Sequence, residues 1–149
     1  MNFMNYFLVS LIVFAALVSG MIIRYFTKEE MKEGEKYFIL LQRLLALIIV
    51  GVFLYFIDTK IYWIIIALFV VSTLIYQFDV KLPVYYVFFG AFFFFSSKEA
   101  NFFLIMSSLM FLFGFPSGSL IKKEDVKKNL LLSCLFFLSA FAFYFVSLI

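Results

Sequence analysis

Six apolar stretches occupy nearly all of this 149-residue chain, and each is about long enough to cross a lipid bilayer. Hydrophobic residues make up 66% of the sequence and charged residues only 14%, so the chain cannot supply the polar surface of a soluble domain. We therefore predict an all-α integral membrane protein, with six transmembrane helices in a compact bundle and a single domain over residues 1–149. The predicted spans are roughly residues 3–23, 37–57, 61–78, 82–97, 101–121 and 129–149.

The distribution of charge predicts the orientation of these spans. With six spans, the first, third and fifth connections share one side, where the basic residues are Arg24, Lys28, Lys32, Lys36, Arg43, Lys81, Lys122, Lys123, Lys127 and Lys128. The other side carries only Lys60 and Lys98. The positive-inside rule then places the two short basic loops, 24–36 and 122–128, in the cytoplasm. Both termini are then extracytoplasmic. The predicted location is the cell (inner or plasma) membrane.

Tyrosine positions agree with this threading. All nine tyrosines, and the single tryptophan, lie close to a predicted span end. Such amphipathic rings prefer the headgroup level, where the hydroxyl or indole N–H reaches water. We therefore expect the tyrosine side chains to lie at the membrane interfaces.

Local signals predict structure in the first basic loop. Thr27 followed by Glu30 fits the capping-box pattern, and Gly34 suits the residue that ends a helix. These signals predict an interfacial helix of about two turns between the first two spans. The two basic loops are interpreted as topology-setting segments, with a docking surface for a cytosolic partner or anionic headgroups as the alternative.

Small residues and aromatic residues suggest where helices pack. The small residues are Ala15, Ala16, Ser19 and Gly20 in the first span, Gly114 and Gly118 in the fifth, and Ser133, Ser139, Ala140 and Ala142 in the sixth. They are suited to close helix contacts, either within one chain or between subunits. The fourth span is aromatic on every face, which predicts contact with lipid or a partner subunit. A Phe-lined pocket for an acyl or isoprenoid chain is the alternative.

Polar residues at the cytoplasmic ends of the spans are the candidate ligand-binding site, because a polar side chain in a membrane is costly unless it is used. The candidates are Gln42, Arg43, Gln77, Asp79 and Ser117, together with a predicted helix break at Gly114, Pro116 and Gly118. Backbone groups freed by the proline, with Arg43, could hold an anion such as a lipid phosphate. The alternative is that Arg43 extends to the interface, with Asp79 paired to it or to Lys81.

The sequence lacks an arrangement of residues that could form a catalytic site. The chain has no His and one Cys, which gives no basis for a metal site, a cofactor or a disulfide. No acidic residue lies deep in a span, and no serine has a positioned base, so we predict no catalytic residues. Cys134 lies in an apolar run and is expected to be a buried, inert thiol. Basic residues interleaved with acids argue against nucleic-acid binding.

These observations favour a non-enzymatic membrane module that binds a lipid-like or small ligand, or a partner membrane protein. The expected partners are membrane lipids, and a membrane protein or further copies of the chain. The alternative hypothesis is a channel or facilitator for a small solute or anion, formed by a homo-oligomer with Gln42 and Arg43 at its mouth. An enzyme acting on lipid headgroups is a third hypothesis.

Overall fold

The computed structural model of the chain describes residues 3–57, 63, 67, 70, 71, 82–122 and 125–146. The predicted all-α class is confirmed over these residues, which form helices and no strand. The helices are α1 (Phe3–Phe26), α2 (Lys28–Phe56), α3 (Leu82–Ser96), α4 (Ala100–Leu120), α5 (Val126–Ser133) and α6 (Leu135–Val146). The predicted span 61–78 lies almost entirely outside the described residues.

Three of the described helical segments are long and apolar enough to cross a membrane: α1, Gly34–Phe56 of α2, and α4. In lipid, a helix satisfies all backbone hydrogen bonds within one segment, which is why apolar runs of this length fold this way. The Val84–Ser96 segment of α3 is apolar but shorter. Helices of this length and composition suggest a membrane protein.

The junction between the first two helices differs from the prediction. Only Thr27 separates α1 from α2, and its hydroxyl donates to the Ile23 carbonyl oxygen at 2.9 Å instead of capping α2. Gly34 lies inside α2, so the predicted loop 24–36 with its two-turn interfacial helix is instead formed by the last residues of α1, Thr27 and the first turns of α2. A single glycine costs a helix only about 1 kcal/mol relative to alanine, too little to end a run of good helix formers.

The predicted sixth span is divided at Cys134, which forms a turn between α5 and α6. Helical bonding continues across the turn, because the Cys134 N–H donates to the Leu130 carbonyl and the Leu138 N–H donates to the Cys134 carbonyl, both at 3.2 Å. The Cys134 side chain is exposed on the surface of the bundle, so the prediction of a buried thiol is wrong. An apolar run in a membrane helix has no polar face from which burial could be predicted.

The helix α4 lies in the middle of the bundle, against α1, α2 and α3. It runs parallel to α1, because Gly20 contacts Gly118 near one end and the Tyr6 ring lies 6.1 Å from the Phe103 ring near the other. We call the end that carries Arg24, Lys36, Lys122, Lys127 and Lys128 the basic end.

The helices α2, α3 and α6 run in the opposite direction to α1 and α4. The Phe56 ring of α2 lies 4.3 Å from Phe102, near the start of α4, whereas Gln42 contacts Ser117 near its end. In α3, Phe89 lies beside Phe113 and Phe93 beside Phe103, with both ring distances 4.8 Å. In α6, Phe137 lies beside Phe14 and Tyr144 beside Tyr6 of α1. The helices α1 and α4 thus run in one direction, and α2, α3 and α6 run in the other.

Glycine contacts bring α1 and α4 into direct backbone contact near the basic end. A Cβ atom at Gly114 would lie 2.8 Å from the Ala16 Cβ, and one at Gly118 would lie 3.0 Å from the Gly20 Cα. This is the close approach that small residues permit in membranes. Of the two alternatives for the small residues, Ala16, Gly20, Gly114 and Gly118 therefore serve contacts within the chain.

One side of the aromatic helix α3 packs within the bundle, whereas the sequence predicted contact with lipid or a partner subunit. Phe89, Phe93 and Phe94 are buried, and only part of its surface, including Phe88 and Phe95, is exposed. Its rings meet those of α4 and α6 in tilted and edge-on pairs, a geometry that adds about 0.5–1.5 kcal/mol per pair to area burial. An all-apolar helix carries no pattern that says which face is buried.

The described tyrosines differ in exposure, a difference that their positions near predicted span ends do not show. Tyr25, Tyr37 and Tyr55 are exposed. By contrast, Tyr6, Tyr85 and Tyr86 are buried. The Tyr6 hydroxyl donates to the Ala140 carbonyl oxygen at 3.0 Å, which links α1 to α6.

Candidate functional site

Two of the predicted site residues meet across α2 and α4. The Gln42 Nε2 atom donates a hydrogen bond of 3.1 Å to the Ser117 hydroxyl oxygen. Ser117 is only 1% exposed, whereas Gln42 is half-buried. The antiparallel packing of α2 and α4 brings these residues together near the basic end. A polar pair is thus placed inside an otherwise apolar helix contact.

The remaining predicted ligand residues are Arg43, Gln77 and Asp79. Arg43 follows Gln42 on α2 and is half-buried, but it is not among the residues that line the cleft described below. Gln77 and Asp79 lie outside the described residues.

The predicted helix break at Gly114, Pro116 and Gly118 is not observed, because α4 continues as a helix to Leu120. Pro116 removes one backbone donor close to the helix end, which costs the helix little continuity there. Contact with α1 also holds this segment in place. The two glycines serve that contact instead of relaxing the helix.

A cleft of about 270 Å³ opens beside the Gln42–Ser117 pair at the basic end. The residues that line it are Gln42, Ser117, Leu120, Ile121, Lys122, Asp125 and Asn129. From the sequence, Lys122 and Asp125 belong to a predicted topology-setting loop, and Asn129 is not a predicted site residue. Their polar character directly after an apolar span was the available signal.

Backbone hydrogen bonds shape the wall of this cleft where α4 ends and α5 begins. The Ile121 N–H donates to the Gly118 carbonyl at 3.1 Å, and the Asp125 N–H donates to the Lys122 carbonyl at 3.0 Å. The Asn129 Nδ2 atom donates to the Asp125 carbonyl oxygen at 3.1 Å. These bonds hold Lys122, Asp125 and Asn129 around one opening.

A second set of hydrogen bonds fixes α1 behind the cleft. The Arg24 guanidinium donates to the Ser119 carbonyl oxygen at 2.8 Å, and the Ser119 hydroxyl donates to the Gly20 carbonyl oxygen at 3.2 Å. The carbonyls of a last helical turn lack donors within the helix, and a cation is favourable there. The end of α4 that carries Ser117 is therefore anchored on α1.

The chemistry of the cleft is that of a binding site for a small polar group. Its floor offers an amide and a hydroxyl, and its rim offers one positive and one negative side chain. At about 270 Å³, the cleft has room for a small polar group.

Comparisons with known proteins do not add a function to this geometry. No protein-family model, no curated protein and no solved structure matches the chain. The function is therefore argued from the residues themselves.

Proposed function

We propose that this protein is a six-span, non-enzymatic membrane module that binds the polar headgroup of a membrane lipid in the cleft at its basic end. The observation that carries the proposal is the Gln42–Ser117 hydrogen bond at the floor of a polar cleft in an apolar bundle. Polar side chains within membrane helices are costly and by default mark a functional site.

Helix directions support six spans. Phe56 places the end of α2 beside Phe102, while Tyr85 places the start of α3 beside Phe113, with ring distances of 4.3 and 5.4 Å. Phe102 and Phe113 are 11 positions apart on one helix, or ~16 Å at 1.5 Å per residue. The connection from residue 57 to residue 82 therefore joins opposite ends of the bundle, as the predicted span 61–78 requires.

The charge pattern supports a cytoplasmic basic end. Lys36, Lys122, Lys127 and Lys128 are exposed there, and the positive-inside rule puts such an end in the cytoplasm. The cleft lies where the apolar helix α4 gives way to Lys122 and Asp125. This transition is expected at headgroup depth, so a headgroup reaches the cleft without leaving the membrane interface.

The test is native mass spectrometry of the protein released from its own membranes in mild detergent. We expect the wild type to retain a discrete lipid mass and Gln42→Leu to lose it, because leucine removes the amide at the cleft floor. Ser108→Ala is the matched control for Ser117→Ala: both serines lie on α4, but Ser108 is exposed and donates to the Leu104 carbonyl at 2.8 Å. We expect Ser117→Ala to weaken retention and Ser108→Ala to leave it unchanged.

Three results would contradict the proposal. One is equal retention by all variants, which would place any bound lipid elsewhere. Another is a second membrane protein at fixed stoichiometry with no retained lipid, which would make the chain an accessory subunit. The third is solute flux in proteoliposomes that Gln42→Leu reduces, without lipid retention, which would favour the channel hypothesis.

A further inference from the structure

Two opposite charges line the headgroup cleft without neutralising each other. Lys122 and Asp125 are both exposed at its rim, and the Asp125 N–H donates a 3.0 Å bond to the Lys122 carbonyl. Among the described residues, neither the ammonium nor the carboxylate forms an ion pair or a side-chain hydrogen bond. The cleft thus presents a separated positive and negative charge to its occupant.

Neutral donors complete this arrangement at the cleft floor. The Gln42 amide has two N–H donors, and one of them is used by Ser117. Among the described residues, the Ser117 hydroxyl accepts this bond and donates none. The floor can therefore donate hydrogen bonds to an anionic oxygen that Lys122 attracts.

We propose that the cleft selects a zwitterionic group with a phosphate and a primary amine, the phosphoethanolamine headgroup. The inference rests on the proposed headgroup site and specifies its ligand. Lys122 and the Gln42 amide bind the phosphate oxygens, while the Asp125 carboxylate accepts hydrogen bonds from the ammonium. Both interactions are charge-assisted, and such bonds are shorter and roughly twice as strong as neutral ones.

The lining residues argue against the other common headgroups. A phosphocholine group carries a quaternary ammonium, which donates no hydrogen bond and is typically held by aromatic rings. None of the seven described residues that line this cleft is aromatic. An anionic phosphoglycerol group would satisfy Lys122 but would leave Asp125 facing a like charge, which disfavours binding.

The experiment compares three lipids that share acyl chains and differ in their headgroups: phosphoethanolamine, phosphocholine and phosphoglycerol. Each competes with a spin-labelled phosphoethanolamine lipid on the purified protein. We expect the wild type to prefer phosphoethanolamine to phosphoglycerol by roughly tenfold, the ratio that one lost charge-assisted contact would produce. Asp125→Asn should abolish or invert this preference, and Lys122→Gln should weaken both lipids.

Lys127→Gln is the matched control, because Lys127 is exposed at the same end but does not line the cleft. It should leave the headgroup preference unchanged. Water-soluble glycerophosphoethanolamine separates two sources of the same chemistry. Displacement of the spin label by this compound at the affinity of the lipid would identify a free metabolite as ligand, and its failure would identify the lipid.

The outcomes distinguish this inference from the proposed function. If phosphoethanolamine and phosphoglycerol lipids bind equally, and Asp125→Asn leaves their ratio unchanged while Gln42→Leu abolishes binding, the zwitterion inference is wrong and the headgroup site stands. If Gln42→Leu also has no effect on binding, both proposals are wrong.

Discussion

Arg24 and Ser119 lie 95 positions apart in the chain, yet the Arg24 guanidinium donates a 2.8 Å hydrogen bond to the Ser119 carbonyl oxygen. Ser119 in turn donates from its hydroxyl to the Gly20 carbonyl, one turn before Arg24 on α1. Two polar links thus join the ends of α1 and α4 beside the cleft. Both links lie at the basic end.

Replacing Arg24 should loosen this end of the bundle. We expect Arg24→Met to lower the free energy of unfolding by about 1–2 kcal/mol, because a charge-assisted bond to a helix C-terminus is lost while the apolar stem is kept. Lys127→Met removes an exposed positive charge at the same end and should have little effect. Unfolding in a detergent titration measures both, and equal losses would show that only net charge matters.

Two glycine substitutions should have opposite effects on stability, because Gly118 lies in the contact between α1 and α4 and Gly34 does not. A Cβ at Gly118 would collide with the Leu17 carbonyl oxygen and lie 2.9 Å from the Met21 nitrogen, whereas one at Gly34 would meet nothing nearer than the Phe38 ring at 3.7 Å. We expect Gly118→Ala to destabilise the protein by about 1–3 kcal/mol. Gly34→Ala should stabilise it by up to ~1 kcal/mol through helix propensity. Thermal unfolding in detergent gives both signs, and a shared sign would contradict the packing.

The buried Tyr6 hydroxyl should contribute measurably to stability. Tyr6 is 0% exposed and bonded to Ala140 on α6, whereas Tyr37 is 75% exposed on α2. We expect Tyr6→Phe to cost about 1 kcal/mol and Tyr37→Phe to cost nothing detectable. A detergent titration that finds the two variants equally stable would argue against the link between α1 and α6.

Tyr86 should behave in the opposite way to Tyr6. The Tyr86 ring lies 6.2 Å from the Phe113 and Phe136 rings, and its buried hydroxyl has no hydrogen-bond partner among the described residues. Burying an unpaired hydroxyl costs about 1–3 kcal/mol, so Tyr86→Phe should raise the unfolding free energy. If Tyr86→Phe destabilises the protein as much as Tyr6→Phe, the hydroxyl is paired, and this prediction is wrong.

The proposed orientation can be read from cysteine labelling in intact cells. Cys134 is exposed and must first be replaced by serine. In that background, Lys98→Cys should react with a membrane-impermeant thiol reagent, and Lys127→Cys should react only after permeabilisation. Both side chains are exposed at opposite ends of the bundle, so accessibility is matched. The reverse labelling pattern would show that the protein has the opposite orientation in the membrane.

The sequence by itself was enough to predict that the chain lies in lipid and where its main helices are. Predicted spans 3–23 and 101–121 agree within a few residues with Phe3–Phe26 and Ala100–Leu120. This succeeds because an apolar run in lipid has no water to hydrogen-bond its backbone and must satisfy those groups within its own helix. Part of the site was also readable, since Gln42 and Ser117 stand out as polar residues in apolar spans.

Tertiary structure decided which faces meet and which polar groups share a space. The burial of α3, the exposure of Cys134 and the glycine contact of α1 with α4 depend on neighbouring helices, because an apolar helix in lipid has no polar face to mark its orientation. Gln42 meets Ser117 across 75 positions. Asp125 and Asn129 join them only because the chain turns back at Lys122, and no local sequence pattern encodes that proximity.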